Sequence, residues 1–376
     1  ADLVFENITV TGGNTSTGNG GGIYISGNSK VKFSGGSITR NTARSGGGVY
    51  VEDSNRNDQY DFTLLNGSIT GNTATDTATN PIAGGGGIYT NRHALVWFAG
   101  GTVSDNITAG SGGGILVNGM AYDKNNTSSL TGTERGNEYG LLMSGGTISG
   151  NRSNGNASPH GGGGVYVAKG VFEMLGGEIN GINSSLRQGG GVFVWHNARF
   201  SASGTSSITG NQGVGSSKGI CSRGYTEMMG RAQADKIYIW NNNPVSEGSF
   251  SAEPDSFTLA ENARAVGIVL AYDDTPTSPQ TRNFISFTDT TTPGSDQVCL
   301  IDLEGHLTNY QFKETELNND WVGKKILEVD SSATENVIRQ RFPLNTFVGG
   351  STITLKGKYY LKKTSGGTTV SLSSTP

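Results

Sequence analysis

Seven carboxylates fall in or beside two long segments that could line one binding or catalytic site. The segments are residues 52–60 and 118–140, and each follows a short apolar strand that elsewhere ends in a turn of three to five residues. The acidic residues are Glu52, Asp53, Asp58, Asp61, Asp123, Glu134 and Glu138. Paired carboxylates suit glycoside hydrolysis, and a carboxylate with a basic residue suits lyase chemistry. Solvated loop charges are the alternative.

The two segments belong to neighbouring repeats and are predicted to wall a notch. Its floor is predicted at residues 91–94, which include Arg92 and His93, with Trp97 nearby. Long loops on a rigid scaffold often carry binding sites. However, the turns of residues 73–84 and 152–161 are long in the same two repeats. That pattern also fits a duplication of two-repeat units. In that case the long segments on one side of the repeats would not by themselves indicate a binding site.

Aromatic side chains recur at one place in successive repeats. They are Tyr24, Tyr50, Tyr89, Tyr166 and Phe193, with Leu116 as the exception. Strand alternation turns them away from the core side. We therefore predict an exposed aromatic stripe that binds sugar rings or a partner protein. The alternative is that the rings stack on one another and stabilise the sheet.

Several other chemistries are disfavoured. The four histidines lack zinc-ligand spacing, and no glycine-rich segment ends in Gly-Lys-Ser/Thr. With a net charge of −4 and no basic stripe, the chain is a poor candidate for nucleic acid binding. No apolar run is long enough to span a bilayer, and the first residues show no signal-peptide pattern. We expect no cofactor, no metal and no transmembrane segment.

Two short sequence motifs, here called phrases, repeat along the chain and determine where these candidate residues lie. One phrase joins a glycine triplet to an apolar strand, as in Gly46-Gly-Gly-Val-Tyr-Val51 and Gly162-Gly-Gly-Val-Tyr-Val167. The other has the form of Gly145-Gly-Thr-Ile-Ser-Gly-Asn151. Such repeats predict stacked coils with one continuous core. The expected fold is all-β, a right-handed parallel β-helix with three short strands per coil of about 27 residues.

Glycine and asparagine are predicted to make the corners of each coil. Glycine, 60 of the 376 residues, turns sharply because it has no Cβ. Asparagine closes most of the second phrases, at Asn41, Asn72, Asn106, Asn151 and Asn211, and stacked amides form a ladder. In the fifth coil Ile182 stands there, with Asn183 one residue late. Cys221 and Cys299 are about three coils apart, which favours free thiols over a disulfide.

The repeat weakens after Asn211. Residues 1–245 are predicted to form regular β-helix coils, and residues 246–376 degenerate coils with a C-terminal cap. A separate small β domain is the alternative for the second part, because its alternating segments are divided by Pro, Asp, Gly and Thr clusters.

The two phrases together resemble the repeats of secreted or surface-anchored bacterial right-handed β-helix proteins, which are pectate-lyase-like in fold. A looser likeness is to outer-membrane adhesins with short Gly-Gly-Ala-Ile repeats. The polygalacturonase-type motifs Asn-Thr-Asp, Gly-Asp-Asp, Gly-His-Gly and Arg-Ile-Lys are not found, nor is the pectate lyase Trp-Ile-Asp-His pattern. The resemblance therefore implies an extracellular scaffold without a recognisable catalytic set.

The predicted function is adhesion or glycan binding by a non-enzymatic bacterial protein, secreted or at the cell surface. The expected partner is a polysaccharide, a cell-surface glycan or a host protein. The binding candidates are the five recurring aromatics with Arg92, His93, Trp97, Asp58, Asp123 and Glu134. A polysaccharide lyase or glycoside hydrolase and a structural spacer of the cell envelope are the alternatives.

Overall fold

The structure is a computed structural model. It describes residues 2–52, 60–77, 82–120, 139–156, 160–196, 198–213 and 218–241, and beyond them the backbone of eight strands. The described part contains β-strands, turns and bends, and no helix. The predicted parallel β-helix is confirmed, because strands of successive coils pair in parallel and in register, as Ile69 does with Ile38 and Val103.

Four stacks of strands, named A to D in the order in which one coil visits them, build the helix. Stack A follows the glycine triplets. It contains Ile23–Ile25, Val49–Val51, Ile88–Arg92, Ile115–Gly119, the first part of Val165–Met174, Val192–Val194, Ile220–Ser222 and the second part of Gln233–Asn241.

Stacks B and C contain the other two predicted strands of each coil. Stack B contains Asp2–Phe5, Lys30–Phe33, Phe62–Leu64, Val96–Phe98, Tyr139–Met143, the second part of Val165–Met174, Ala198–Ala202 and Tyr225–Met228. Stack C contains Ile8–Thr11, Gly36–Thr39, Ser68–Thr70, Thr102–Ser104, Thr147–Ser149, Glu178–Asn180, Ser207–Ile208 and the first part of Gln233–Asn241.

Stack D is an addition to the three predicted strands. It contains Asn14–Asn19, Thr42–Ser45, Thr73–Ala74, Ile107–Thr108, Arg152–Ser153 and Ser184–Ser185. All of its strands but the first directly follow the ladder asparagines, and most are two residues long. They are too short to show the period-two alternation by which a strand is recognised in a sequence.

One continuous apolar core runs along the axis and contains one face of stacks A, B and C. In the fifth coil, the inward residues of stacks A, B and C all belong to this core: Val165, Val167, Phe172, Met174 and Ile179. Buried branched residues of stack C contribute one side chain per coil, as in Ile38, Ile69 and Val103. The alternation of each strand therefore leaves the opposite faces of stacks A, B and C available for other roles.

The predicted asparagine ladder is confirmed and is longer than expected. The ladder residues are all buried, and each of the first five donates an amide hydrogen bond of 2.9–3.0 Å to the next one along the axis: Asn41, Asn72, Asn106, Asn151, Asn183 and Asn211. The fifth coil accommodates its extra residue because Gly181 and Ile182 both take positive φ, at 61° and 64°. That conformation brings Asn183, rather than Ile182, into the ladder.

Parallel pairing continues after residue 241. Arg264–Tyr272 pairs with Gln233–Asn241, and Leu300–Gly305 pairs with Arg264–Tyr272. Phe257–Leu259 and Ser286–Phe287 extend stack B. Antiparallel pairs join Lys324–Lys325 to Ser286–Phe287, and Thr281–Asn283 and Gln311–Phe312 to Glu328–Asp330. The predicted division at residues 245 and 246 stays a prediction, and Cys299 lies outside the described residues.

Candidate functional site

The recurring aromatics do not form an exposed stripe, and that prediction is wrong for four of the five. Tyr50 and Tyr89 are 7% and 4% exposed, and Tyr166 and Phe193 are fully buried, whereas Tyr24 is 47% exposed. The alternative is confirmed, because ring centroids of neighbouring coils lie 5.4 Å apart for Tyr24 and Tyr50, and 4.8 Å for Tyr50 and Tyr89. Tyr166 and Phe193 are stacked at 5.1 Å with nearly parallel planes.

These rings form a second apolar cluster on the outer face of stack A. It includes Leu116 and the buried thiol of Cys221, and Ile82 and Trp195 pack against it. The turn from stack D to stack A covers it so closely that a Cβ added at Gly161 would lie 2.9 Å from the Phe193 ring. Burial raises the pKa of Tyr50, Tyr89 and Tyr166 above the ordinary value. The cluster is therefore part of the packing.

We expect Tyr166→Ala to lower the free energy of unfolding by about 3–5 kcal/mol, because it leaves a ring-sized cavity beside Phe193. Tyr24→Ala is the matched control with an expected loss below about 1 kcal/mol, since Tyr24 is half exposed at the end of the stack. Urea unfolding of both variants measures the difference. Equal losses would contradict the assignment of these rings to packing.

The predicted notch is only partly described. Asp58, Asp123 and Glu134 lie outside the described residues. Arg92 ends its stack A strand in a left-handed conformation with φ of 49°, and the half-buried His93 stands in the turn that follows. Asp61 is buried, and its carboxylate accepts a hydrogen bond of 2.8 Å from the Leu95 backbone N–H. Asp61 therefore holds the backbone of the next coil, which is a structural role.

Trp97 does stand on an outer surface, and it has an aromatic partner. It lies on the outer face of stack B, where its ring centroid is 5.3 Å from that of Tyr60 and the planes are tilted by 35°. The Trp97 indole N–H donates a hydrogen bond of 2.9 Å to the Ser144 hydroxyl, which fixes the ring. Both rings are only partly buried. They form a two-ring aromatic surface that is open to solvent.

Strand register places Trp97 in a row of outward side chains, one from each of seven successive coils. This Trp97 row consists of Lys32, Thr63, Trp97, Leu142, Glu173, Ser201 and Glu227. Neighbouring strands are about 4.8 Å apart, so the row is about 29 Å long. The burial of Tyr60 and, after it, the charge of Glu173 raise the pKa of the Tyr60 phenol. The register, with Leu142 between Trp97 and Glu173, places the aromatic pair and the acidic part of the row on one face of stack B.

The acidic part of the row contains residues that the sequence did not single out. The Arg199 guanidinium donates to the Glu227 carboxylate at 2.7 Å, and these side chains are 22% and 31% exposed. Ser201, beside them, is 1% exposed. The sequence signal that could have found them is the alternation of Ala198–Ala202 and Tyr225–Met228, but the second strand lies after Asn211, where the repeat weakens.

A groove of about 510 Å³ beside stack D is a second concave feature. His160 lines it, and the Nδ1 atom of its imidazole lies 2.9 Å from the Ser111 hydroxyl. A histidine beside a serine suggests an activated nucleophile. However, Ser111 is fully buried and His160 is 2% exposed, so a substrate carbonyl has no access to that hydroxyl. The pair holds the turn of one coil against the next.

Within the described residues, no three His, Cys, Asp or Glu side chains come together as a metal site, and no helix could cross a membrane. No protein-family model, no curated protein and no solved structure matches the chain. The fold and the site describe the chain as a parallel β-helix with an outer row of side chains that combines aromatic rings, carboxylates and an ion pair.

Proposed function

We propose that the chain is a non-enzymatic, exported bacterial β-helix that binds a polysaccharide or a cell-surface glycan along the Trp97 row. The observation that carries the proposal is the tilted pair of Tyr60 and Trp97 on an open sheet face. Apolar faces of sugar rings stack on aromatic rings, while sugar hydroxyls need donors and acceptors nearby. Ser144, Glu173 and Arg199 supply such groups on the same face.

The shape of the row fits a polymer. Its side chains come at a constant interval along a straight face, so a linear glycan lying parallel to the helix axis meets one of them at each coil. Several weak contacts on one chain add up to useful affinity. The location outside the cell or at its surface is part of the proposal and is supported by the resemblance of the repeats to those of secreted β-helix proteins.

We expect Trp97→Ala to weaken binding of a retained polysaccharide at least about tenfold, or about 1.4 kcal/mol, because it removes the ring that packs against Tyr60. Trp97→Phe keeps a ring at this position and is expected to retain most of the affinity. Affinity electrophoresis on a panel of polysaccharides measures both, with melting temperature as the check on folding. Leu186→Ala, which removes an exposed apolar side chain after a stack D strand, is the control.

The same panel separates the proposal from its alternatives. Unchanged retention by Trp97→Ala would contradict binding at this face. Release of new reducing ends during incubation would favour a glycoside hydrolase, and release of unsaturated ends would favour a lyase. Retention of no polysaccharide at all would leave the protein as a structural spacer or a protein-binding adhesin.

A further inference from the structure

The Trp97 row contains an unpaired carboxylate next to an unpartnered hydroxyl. Glu173 is half buried and has no hydrogen bond or ion pair with any described residue. In the next coil Ser201 is its register partner, 1% exposed, and the Ser201 hydroxyl oxygen has no hydrogen-bond partner. A buried hydroxyl without a partner is unfavourable compared with one that is hydrogen-bonded.

The third member of this segment is Glu227, the register partner of Ser201 on the other side. The Arg199 guanidinium lies 2.7 Å from the Glu227 carboxylate and neutralises it. The part of the Trp97 row formed by Glu173, Ser201 and Glu227 therefore keeps an excess of one negative charge. Glu173 and Glu227 start from strands two coils apart, at about 9.6 Å. The buried Ser201 therefore lies in register between two glutamates whose side chains are partly exposed.

This arrangement specifies the chemistry of a complementary ligand. A carboxylate, a hydroxyl and a second carboxylate in one line all accept hydrogen bonds, and a protonated primary amine has three donors and a positive charge. A uronic acid would bring another negative charge to an acidic segment and would be repelled. A neutral sugar would leave the charge of Glu173 uncompensated.

We propose that the segment formed by Glu173, Ser201 and Glu227 binds the protonated amine of an amino-sugar unit, so that the preferred polymer carries free amino groups. The inference rests on the proposed function, since Trp97 and Tyr60 hold neighbouring sugar rings of the same polymer. Glu173 is the ionic partner of the amine, and the Ser201 hydroxyl accepts a hydrogen bond from it. Access to Ser201 requires the Glu173 and Glu227 side chains to move apart, which half-exposed side chains achieve by rotamer changes.

The test compares three oligosaccharides of equal length by calorimetric titration at about pH 5.5, where a primary amine is protonated. The probes are oligomers of glucosamine, of N-acetylglucosamine and of galacturonic acid. We expect the glucosamine oligomer to bind at least about tenfold more tightly than its acetylated counterpart. The difference should shrink as salt is added, because the contact is partly exposed.

Two variants locate the amine. Glu173→Gln keeps the shape of the side chain and removes its charge, so the glucosamine oligomer should then bind within about threefold of the acetylated one. Glu178→Gln is the matched control in the same coil, since Glu178 is exposed in stack C and bonds to Asn180. Ser201→Ala should weaken amine binding without lowering the melting temperature, because it removes a hydroxyl that has no partner.

The outcomes distinguish this inference from the function on which it rests. Equal affinity for the glucosamine and acetylated oligomers, with both lost in Trp97→Ala, would overturn amine recognition and leave glycan binding in place. Tightest binding of the galacturonic acid oligomer would also overturn it. Binding of no oligosaccharide by the folded protein would overturn both.

Discussion

Gly113→Ala is expected to destabilise the β-helix by at least about 3 kcal/mol, a large effect for a single added methyl group. Gly113 is the middle residue of a triplet, where one coil crosses directly over the next. A Cβ at this position would lie 2.4 Å from the backbone oxygen of Gly163 and 2.6 Å from backbone atoms of Arg152. Backbone atoms cannot rotate away, so the two coils must separate locally.

Gly27→Ala is the control that separates steric exclusion from backbone strain. Gly27 has φ of 60°, and an added Cβ would meet nothing within 4 Å. Alanine there is strained by its left-handed conformation alone, which costs about 1 kcal/mol. Urea-unfolding midpoints of the two variants measure the contrast. If Gly113→Ala is no less stable than Gly27→Ala, the close stacking of coils at the triplets is wrong.

The second large effect is expected for Asn106→Ala, with a loss of about 4 kcal/mol in the free energy of unfolding. The Asn106 carbonyl oxygen accepts hydrogen bonds from the backbone and side-chain amides of Asn72, at 3.0 and 2.9 Å. Its own amide donates to the Ile69 carbonyl at 2.9 Å and to Asn151 at 3.0 Å. Alanine would remove these four hydrogen bonds from a buried site, while its backbone N–H keeps the bond of 3.0 Å to the Asn151 side chain.

The control for this variant is Ser104→Ala, two residues earlier on the outer face of stack C. Among the described residues its hydroxyl bonds to Thr70 alone, at 3.2 Å, and Ser104 is partly exposed, so the expected loss is below about 0.5 kcal/mol. Thermal and urea unfolding monitored by circular dichroism compare the two. A loss for Asn106→Ala as small as that of the control would mean that water replaces the missing amide and that the ladder contributes little to stability.

Much of the fold could be predicted from the sequence because its determinants are local. Val165, Val167 and Ile179 alternate with polar neighbours, and a strand places alternate side chains on opposite faces wherever it lies. The glycine triplets and corner asparagines are equally direct, since few other residues fit those backbone positions. The short strands of stack D escaped prediction because a strand of two residues is too short to show an alternation of apolar and polar side chains.

The candidate site was less predictable. Trp97 was identified because it lies near a predicted notch, but its contact with Tyr60 depends on how two coils stack. Nothing in the sequence placed Glu173 in line with Ser201 and Glu227, which come from coils 28 and 54 residues later. Such a row exists only once the register of stack B is known.

The sequence by itself determined the winding of the chain and which side of each strand enters the core, because both follow from backbone conformation and from the alternation of apolar side chains. Tertiary structure alone decided the environment of the outward side chains. Tyr166 and Trp97 both point away from the core, but one is buried and the other is open to solvent. The physical reason is that a turn packs over the outer face of stack A at Tyr166, and burial by residues distant in the chain cannot be read from a strand's own pattern.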